Sequence, residues 1–260
     1  MRTNHPVSGR EVAVGETANI LSTTDLKGTI TYANADFVAI SGFSEAELLG
    51  QPHNIVRHPD MPEPAFADLW ATLRSGKSWM GIVKNRCKNG DHYWVSAFAT
   101  PVSRDGKVVE YQSVRTRAQP EQIRAAEALY AALRDGRGAR ALRCTMGLRE
   151  RVALLAAGAG AFGVALGSLL GSAPGIATVA GLAMGAAAAA LAAFTLAPLS
   201  RLARQARRVG HNPVSQLIYA GRKDEIGEIA FAMKMLETGV AQLADGMLEL
   251  VQQFWARRRA

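Results

Sequence analysis

The sequence predicts an α+β domain with an antiparallel sheet, followed by two membrane-spanning helices and an amphipathic helical region. Residues 1–118 mix strand-forming, aromatic and charged residues in the way that soluble domains do. Residues 152–200 contain no Asp, Glu, Lys, Arg or His, and amphipathic helical spacing returns after Arg201. The chain has a net charge of +8, and its 260 residues are enough for more than one domain.

The N-terminal region has the pattern of a five-stranded sheet. Residues 20–33 predict two short strands that meet at Lys27-Gly28. Asn89-Gly90 and Asp105-Gly106 separate three longer strand patterns, and such pairs favour tight hairpin turns. The longer strands are predicted at 78–88, 91–102 and 107–117.

Short helices lie between the second and third predicted strands. Ser44 and Glu47 have the spacing of a capping box, which predicts a helix start. Asp60 and Glu63 repeat that spacing with Pro62 between them, so Asp60 is a candidate N-cap of a helix that runs to about residue 75. A concave sheet crossed by short helices leaves room for a small ligand.

The uncharged segment has the length of two membrane helices. A bilayer core of roughly 30 Å needs about 20 apolar helical residues. The uncharged run is about twice as long, and G-S-A-P-G at 171–175 interrupts it, so helices are predicted at 152–171 and 175–197. A buried pair of soluble helices is disfavoured, because such helices normally keep a polar face.

Arginines flank both outer ends of this hairpin, and the loop between its helices is uncharged. By the positive-inside rule both termini lie in the cytoplasm, which predicts a multi-pass protein of the inner membrane. These arginines explain the basic composition without nucleic-acid binding. They are Arg137, Arg140, Arg143, Arg149 and Arg151 before the hairpin and Arg201, Arg204, Arg207 and Arg208 after it.

Three segments of the N-terminal region carry a resemblance to a known family. They are N-A-D-F-V-A-I-S-G-F-S-E-A-E-L-L-G-Q at 34–51, G-Q-P-H-N-I-V-R-H-P-D-M-P at 50–62 and W-M-G-I-V-K-N-R-C-K-N-G-D-H-Y-W-V at 79–95. Residues 18–133 resemble the PAS domain of bacterial aerotaxis receptors. The resemblance implies a PAS fold that binds FAD non-covalently and responds to cellular redox or oxygen state.

The resemblance also implies a set of cofactor-binding residues: Asn34, Arg57, His58, Asp60, Trp79 and Asn85. The chemistry of three of them suits a flavin. The guanidinium of Arg57 matches phosphate oxygens, and the ring of Trp79 can stack on a planar group. The amide of Asn85 can both donate to and accept from a flavin edge.

Structural roles compete with some of these assignments. Asp60 is explained by helix capping, and His58 by packing beneath a helix. Trp79 and Trp94 can both be core aromatics. His92 and Tyr93 are neighbours on a strand and point to opposite faces, so at most one of them lines a pocket. The histidines and Cys87 show no metal-ligand spacing.

The C-terminal region has two apolar stripes joined by a loop predicted at residues 211–222. Pro198 in the first helix and D-E-I-G at 224–227 resemble a HAMP domain, which implies a parallel four-helix bundle from two chains and therefore a homodimer. A helix pair lying on the lipid is disfavoured, because its polar face mixes Lys, Glu and Asp. The stripes are Leu199, Leu202, Ala206 and Val209, then Ile226, Ile229, Met233, Leu236, Val240 and Leu243.

These patterns divide the chain into six parts. They are an N-terminal cap segment (1–18), a PAS sensor domain (19–118), a linker helix with a basic juxtamembrane segment (119–151), a transmembrane hairpin (152–200), a HAMP-like domain (198–250) and a tail (251–260).

The resulting hypothesis is a membrane-anchored intracellular sensor of redox or oxygen state in an aerotaxis type of signalling. An enzyme is not expected. The sequence shows no recognisable nucleophile–base pair for the pocket and no nicotinamide-binding G-x-G-x-x-G after a strand. In the family that the chain resembles, a kinase-control hairpin begins at about the position of Ala260. We therefore expect either that a chemotaxis transducer or kinase-complex protein from another chain supplies the output, or that the chain is a shortened version of a longer receptor. Membrane lipid and a second copy are the other expected partners. The alternatives are a cofactor-free interaction subunit and a haem-binding PAS sensor with His58 or His92 as axial ligand.

Overall fold

The N-terminal region forms the predicted α+β domain around a five-stranded antiparallel sheet. The computed structural model describes residues 4–138, 142–143, 146–169 and 174–259. The strands pair in the order β2-β1-β5-β4-β3. They are β1 (Ile20–Thr24), β2 (Ile30–Ala33), β3 (Trp79–Arg86), β4 (His92–Arg104) and β5 (Lys107–Arg117).

The turns between the last three strands form where the sequence predicts them. Asp105 and Gly106 have φ angles of 52° and 74°, and Gly90 has φ 98°. Two consecutive residues with positive φ match the right-handed twist of a hairpin, which is why an Asp-Gly pair suits this position. These tight turns fix the register of β3, β4 and β5 and therefore decide which side chains share a face.

Short helices connect β2 to β3. They are α1 (Ala35–Ser41), α2 (Glu45–Leu48), a 3-10 turn (His53–Val56) and α3 (Glu63–Arg74). The capping box of Ser44 and Glu47 is present. The prediction of Asp60 as an N-cap is wrong, since Pro62 occupies the N-cap position of α3, without a capping hydrogen bond from a side chain. Met61 precedes a proline and is thereby biased away from helical backbone angles, which delays the helix start.

After β5 the described chain is mostly helical. Its helices are α4 (Pro120–Arg134), α5 (Leu148–Leu169), α6 (Pro174–Thr195), α7 (Ala197–Val209), α8 (Pro213–Ala220) and α9 (Glu225–Arg259). The loop predicted at 211–222 contains α8, so that prediction is wrong. Asn212 accepts from the backbone N–H of Ser215 at 3.0 Å, Pro213 opens the helix and Gly221 ends it with φ 65°. These start and stop signals stabilise even a two-turn helix.

Helices α5 and α6 are the candidate membrane hairpin. Among the described residues, two helical segments are long and apolar enough to cross a membrane, Leu148–Leu169 and Thr178–Val209, and the second continues from α6 into α7. Large apolar side chains such as Leu155 and Phe194 are 74% and 79% exposed, as expected of surfaces that face lipid. The helices approach closely where glycines meet, since a Cβ on Gly160 would lie 2.5 Å from the Cα of Gly185. Of the predicted interruption at 171–175, residues 171–173 lie outside the described part of the chain.

The sheet has helices on both faces. Helices α1 to α3 cover the inner face, and α4 and the C-terminal helices cover the outer one. On the outer face the Tyr130 hydroxyl of α4 donates to the Ile82 carbonyl at 2.5 Å, and its ring stacks on Trp94. Because the side chains of a strand alternate between faces, β3 and β4 each contribute residues to the inner face and residues that contact the helices behind the sheet.

Candidate functional site

A cavity of about 480 Å³ lies between the inner face of the sheet, α3 and the 3-10 turn. Its volume falls in the range of small-molecule sites. Aromatic side chains from α3, β3 and β5 form much of its wall, namely Phe66, Trp70, Trp79 and Tyr111. Polar side chains complete the wall at a few places, namely His53, Asn54, Arg57, Asn85, Ser113 and Arg115. A mostly aromatic wall with separate polar groups suits a planar organic ligand that has hydrogen-bonding edges.

Arg57 is held at the cavity by several contacts. Its guanidinium lies 4.4 Å from the ring centroid of Phe66, and its Nη2 donates to the Met61 carbonyl at 2.9 Å. Burial lowers the pKa of Arg57, and the nearby Glu63 carboxylate raises it in part. The amide of Asn4 donates to the Arg57 carbonyl at 3.0 Å, so the N-terminal segment also fixes this turn. Arg57 is therefore a cation held in a fixed position at the cavity wall, where it can bind an acidic group of a ligand.

Trp79 is fixed between the cavity and α3. Its indole Nε1 donates to the Asp68 carboxylate at 2.8 Å, and burial raises the pKa of Asp68. The ring lies directly over Gly81, where an added Cβ would come within 2.3 Å of it. Gly81 is therefore the residue that allows the flat orientation of the ring along β3.

Asn85 lies further along the same strand. It is 3% exposed, and its backbone forms a bridge with Arg57. Its Nδ2 has no hydrogen-bond partner of ordinary geometry among the described residues, although the amide lies close enough to the cross-strand Tyr93 hydroxyl to lower the pKa of Tyr93 in part. An unpaired buried amide costs free energy unless something satisfies it, so this group marks a position where a ligand can accept a hydrogen bond.

Arg115 and His53 form a second polar pair at the cavity wall. The Arg115 Nη2 lies 2.6 Å from the His53 Nε2 and 3.0 Å from the Ser22 Oγ. Its guanidinium carbon lies 5.3 Å from the ring centroid of Phe37. Burial lowers the pKa of His53 to about 3, and Arg115 adds to that effect. Burial likewise lowers the pKa of Arg115 to about 10. At neutral pH the histidine is uncharged and the arginine is charged.

The other three predicted cofactor residues lie away from the cavity wall. Asn34 caps α1 through the Phe37 backbone N–H at 3.1 Å. The Nδ1 of His58 accepts from the Asp60 backbone N–H at 3.1 Å, and its ring meets that of His92 edge-on. Asp60 pairs with Lys84 at 2.7 Å. In this structure these side chains support the loops around the cavity.

Several residues of the wall are not among those predicted from the sequence. Tyr111, Ser113 and Arg115 alternate along β5, so they share the inner face. His53 lies on the 3-10 turn and was considered only for a metal site. The signal for Arg115 is a charged residue at an inward-facing position of a central strand. That the position faces inward can be recognised only once the register of the strand is known.

The wall residues fit a flavin. Trp79 offers a flat apolar surface, and the unpaired Nδ2 of Asn85 and Nη1 of Arg115 offer buried donors. A metal centre has no comparable support, because no group of three His, Cys, Asp or Glu side chains among the described residues could hold an ion.

Family models match two parts of the chain. The model for the PAS fold matches residues 30–115, and the model for the HAMP domain matches residues 190–236. The chain contains a PAS domain and a HAMP domain. The resemblance to both families that the motifs indicate is therefore confirmed.

Relatives are similar over the N-terminal region. The chain is 55% identical to the aerotaxis receptor of Escherichia coli (strain K12) over 136 residues, which are 52% of this chain and 27% of the receptor. It is 34% identical to a nitrogen fixation regulatory protein of Klebsiella pneumoniae over 82 residues, or 32% of this chain and 17% of that protein. A solved light-oxygen-voltage domain studied with a flavin analogue has a TM-score of 0.39 and 22% identity, over 41% of this chain and 82% of that one.

The PAS sheet contacts the HAMP domain directly. The Tyr219 hydroxyl of α8 lies 2.6 Å from the Ser96 hydroxyl of β4. Met80 and Phe98 from the sheet form a buried cluster with Phe231 and Met235 of α9. The strands that line the cavity on one face thus pack against HAMP helices on the other.

Proposed function

We propose that this chain is a membrane-anchored redox or oxygen sensor that binds FAD in the PAS cavity and passes the signal to the HAMP domain. The observation that carries the proposal is the convergence of Arg57, Trp79 and Asn85 on one aromatic cavity. The 55% identity to an aerotaxis receptor over 136 residues supports it.

Each of the three residues has a distinct task in holding the cofactor. Arg57, with its fixed guanidinium, pairs with phosphate oxygens, since a planar fork suits such anions. Trp79 supplies a rigid ring that stacks on a planar group. The buried Nδ2 of Asn85 donates to an acceptor on the ring edge, which satisfies the unpaired amide.

The cofactor supplies a ring whose charge and hydrogen bonding change with its redox state. The strands supply the route from the cavity to the HAMP domain. Trp79 and Asn85 face the cavity from β3, and Met80 on the opposite face packs against Phe231. A change in the hydrogen bonds of Asn85 alters the strain on β3 and therefore the packing behind it. The two redox states must differ in this free energy for a signal to pass.

The membrane hairpin and a second copy complete the proposed arrangement. Both outer ends of the hairpin carry arginines, which supports a cytoplasmic position for the PAS and HAMP domains. Helix α9 has an exposed apolar stripe that includes Met233, Leu236 and Val240. A HAMP bundle in a homodimer covers this stripe. The signal then reaches a chemotaxis transducer or kinase-complex protein.

The absorption spectrum of the purified full chain in lipid nanodiscs tests the flavin. We expect a flavin spectrum that bleaches with dithionite, at about one flavin per chain. A protein without a chromophore would support a cofactor-free interaction subunit, and a Soret band would support a haem sensor. Either result contradicts the proposal.

Matched variants test the site. Arg57→Gln, Trp79→Phe and Asn85→Ala are each expected to lower the flavin content. Arg104→Gln and Trp94→Phe are the controls, because Arg104 is exposed at the end of β4 and Trp94 faces α4 behind the sheet. Equal losses in variants and controls would show that the effect is general instability.

A further inference from the structure

Arg115 is a buried cation with no counter-charge among the residues that the structure describes. It is 4% exposed and lies on β5, the central strand of the sheet. Its described neighbours are the Ser22 hydroxyl, the His53 ring and the Phe37 ring, and no described carboxylate forms an ion pair with it. The Tyr93 phenol also interacts with it electrostatically, but burial raises the pKa of Tyr93, so this phenol is neutral at pH 7. A buried charge is costly unless it is paired, so this guanidinium is an unusual feature of a domain core.

The neighbours of Arg115 position it without neutralising it. A guanidinium only donates hydrogen bonds, so the His53 Nε2 accepts and the proton of that neutral ring resides on Nδ1. Burial lowers the pKa of His53 to about 3, so His53 adds no charge at neutral pH. The Nη1 of Arg115 has no hydrogen-bond partner among the described residues. The Arg115–His53 pair therefore lacks only a hydrogen-bond acceptor or an anion for the Nη1 of Arg115.

Arg57 differs from Arg115 in this respect. Its Nη2 donates to the Met61 carbonyl, and the Glu63 carboxylate lies near enough to raise its pKa. Arg57 therefore has a nearby negative charge even without a ligand. Of the two arginines at the cavity wall, Arg115 has the larger unmet need for an anion.

We propose that Arg115, held by His53 and Ser22, is the charge partner of the bound flavin ring and favours its reduced, negatively charged form over the neutral oxidised form. This inference rests on the proposed function. Adding two electrons and one proton to the neutral ring leaves one net negative charge. The electrons come from an external reductant, dithionite in the experiment below, and the proton comes from solvent. Arg115 transfers neither and acts only through its charge.

The affinities of the two redox forms test this role. The full chain in nanodiscs is stripped of cofactor and titrated with oxidised FAD and, under anaerobic conditions, with dithionite-reduced FAD. We expect Arg115→Gln to weaken the preference for reduced over oxidised FAD about tenfold or more, which is a midpoint shift of about 30 mV for a two-electron couple. Arg115→Lys keeps the charge and is expected to keep most of the preference.

Arg117→Gln is the matched control. Arg117 lies two residues further along β5, is partly exposed and pairs with Glu16 outside the cavity wall. Its replacement is expected to leave the ratio of the two affinities unchanged. A ratio in Arg115→Gln equal to that of the wild type would overturn the inference.

A measurement on the wild type keeps the inference testable if Arg115→Gln does not fold. Uptake of one proton per two electrons changes the redox equilibrium tenfold per pH unit, which is about 30 mV per pH unit. Uptake of two protons near pH 7 would mean a neutral reduced ring and would overturn the inference. A wild type that binds FAD in neither form contradicts the proposed function instead, so the two failures are distinguishable.

Discussion

The hydroxyl of Tyr219 lies 2.6 Å from the hydroxyl of Ser96 and joins the HAMP connector helix α8 to strand β4 of the PAS sheet. The ring of Tyr219 also packs against Phe231 of α9, with centroids 6.0 Å apart. Ala97, the next residue on β4, lines the cavity from the other face of the sheet. The hydrogen bond between domains is therefore one residue away from the proposed cofactor site.

Tyr219→Phe should loosen the contact between the domains without affecting the cavity. The variant loses one hydrogen bond in a largely apolar interface, a cost of about 1 kcal/mol. We expect faster hydrogen exchange of the backbone amides in α8 and an unchanged flavin spectrum. Hydrogen exchange with mass spectrometry on the full chain measures the first, and absorption measures the second.

Tyr32→Phe is the control for this variant. Tyr32 lies on β2 and is 44% exposed, far along the sheet order from β4. Removing the hydroxyl of Tyr32 should leave the hydrogen exchange of α8 equal to that of the wild type. Equal exchange in all three proteins would mean that the hydrogen bond of Tyr219 does not hold the domains together.

Gly81→Ala should disturb the cavity and the interface together. The new Cβ would lie 2.3 Å from the Trp79 ring and 3.1 Å from the Ser215 Oγ. Forced repacking of this kind costs on the order of 1–3 kcal/mol. We expect weaker flavin binding, measured by the flavin retained per chain, and faster exchange in α8.

Gly15→Ala controls for the loss of a glycine. Within 4 Å, the one described atom that its Cβ would meet is the Ala18 Cβ at 3.8 Å, an ordinary contact. This variant should retain the flavin of the wild type. If Gly81→Ala also retained it, the ring of Trp79 would not be part of the site.

Local sequence signals predicted most of the fold. The capping box of Ser44 and Glu47 and the turns at Asn89-Gly90 and Asp105-Gly106 act over a few residues, so the sequence pattern determines them. The start of α3 was predicted wrongly, because the effect of Pro62 on Met61 outweighed the spacing of Asp60.

The site was harder to predict than the fold. The resemblance supplied Arg57, Trp79 and Asn85, which line the cavity. Arg115 and His53 are distant in sequence and meet only because β5 pairs with β1 at the centre of the sheet. Such a pairing depends on tertiary structure, and no spacing along the chain reports it.

Acid should destabilise the PAS domain through His53. The ordinary pKa is 6.5, and burial lowers the pKa of this ring to about 3. Between these values the unfolded chain binds a proton that the folded domain excludes, so stability falls as pH decreases from about 6.5 towards 3. The slope from this group alone is roughly 1.4 kcal/mol per pH unit.

His53→Asn should flatten this dependence. Urea unfolding of the full chain at pH 7, 6 and 5, followed by tryptophan fluorescence, gives the slope for wild type and variant. We expect the variant to be less stable at pH 7 but to lose less stability per pH unit. Parallel slopes would show that the pKa of His53 is the same in the folded and unfolded chain, which would contradict the lowered pKa.

Leu236→Glu should weaken the homodimer. Leu236 is 53% exposed on α9 and belongs to the apolar stripe that a second copy is expected to cover. Burying one leucine contributes about 1.5–3 kcal/mol, and a buried carboxylate adds a further cost. Light scattering coupled to size-exclusion chromatography should show a shift from dimer to monomer.

Leu26→Glu is the control, since Leu26 is 52% exposed in the β1–β2 turn. A dimer that persists in Leu236→Glu would exclude this face as the interface.

Hydrogen exchange of α8 and the start of α9 in oxidised and dithionite-reduced protein tests the central claim most directly. That claim is that the redox state of the cavity reaches the HAMP domain through the sheet. We expect exchange to differ between the two states in the wild type and to differ less in Tyr219→Phe. Identical exchange in both redox states of a flavin-loaded wild type would contradict it.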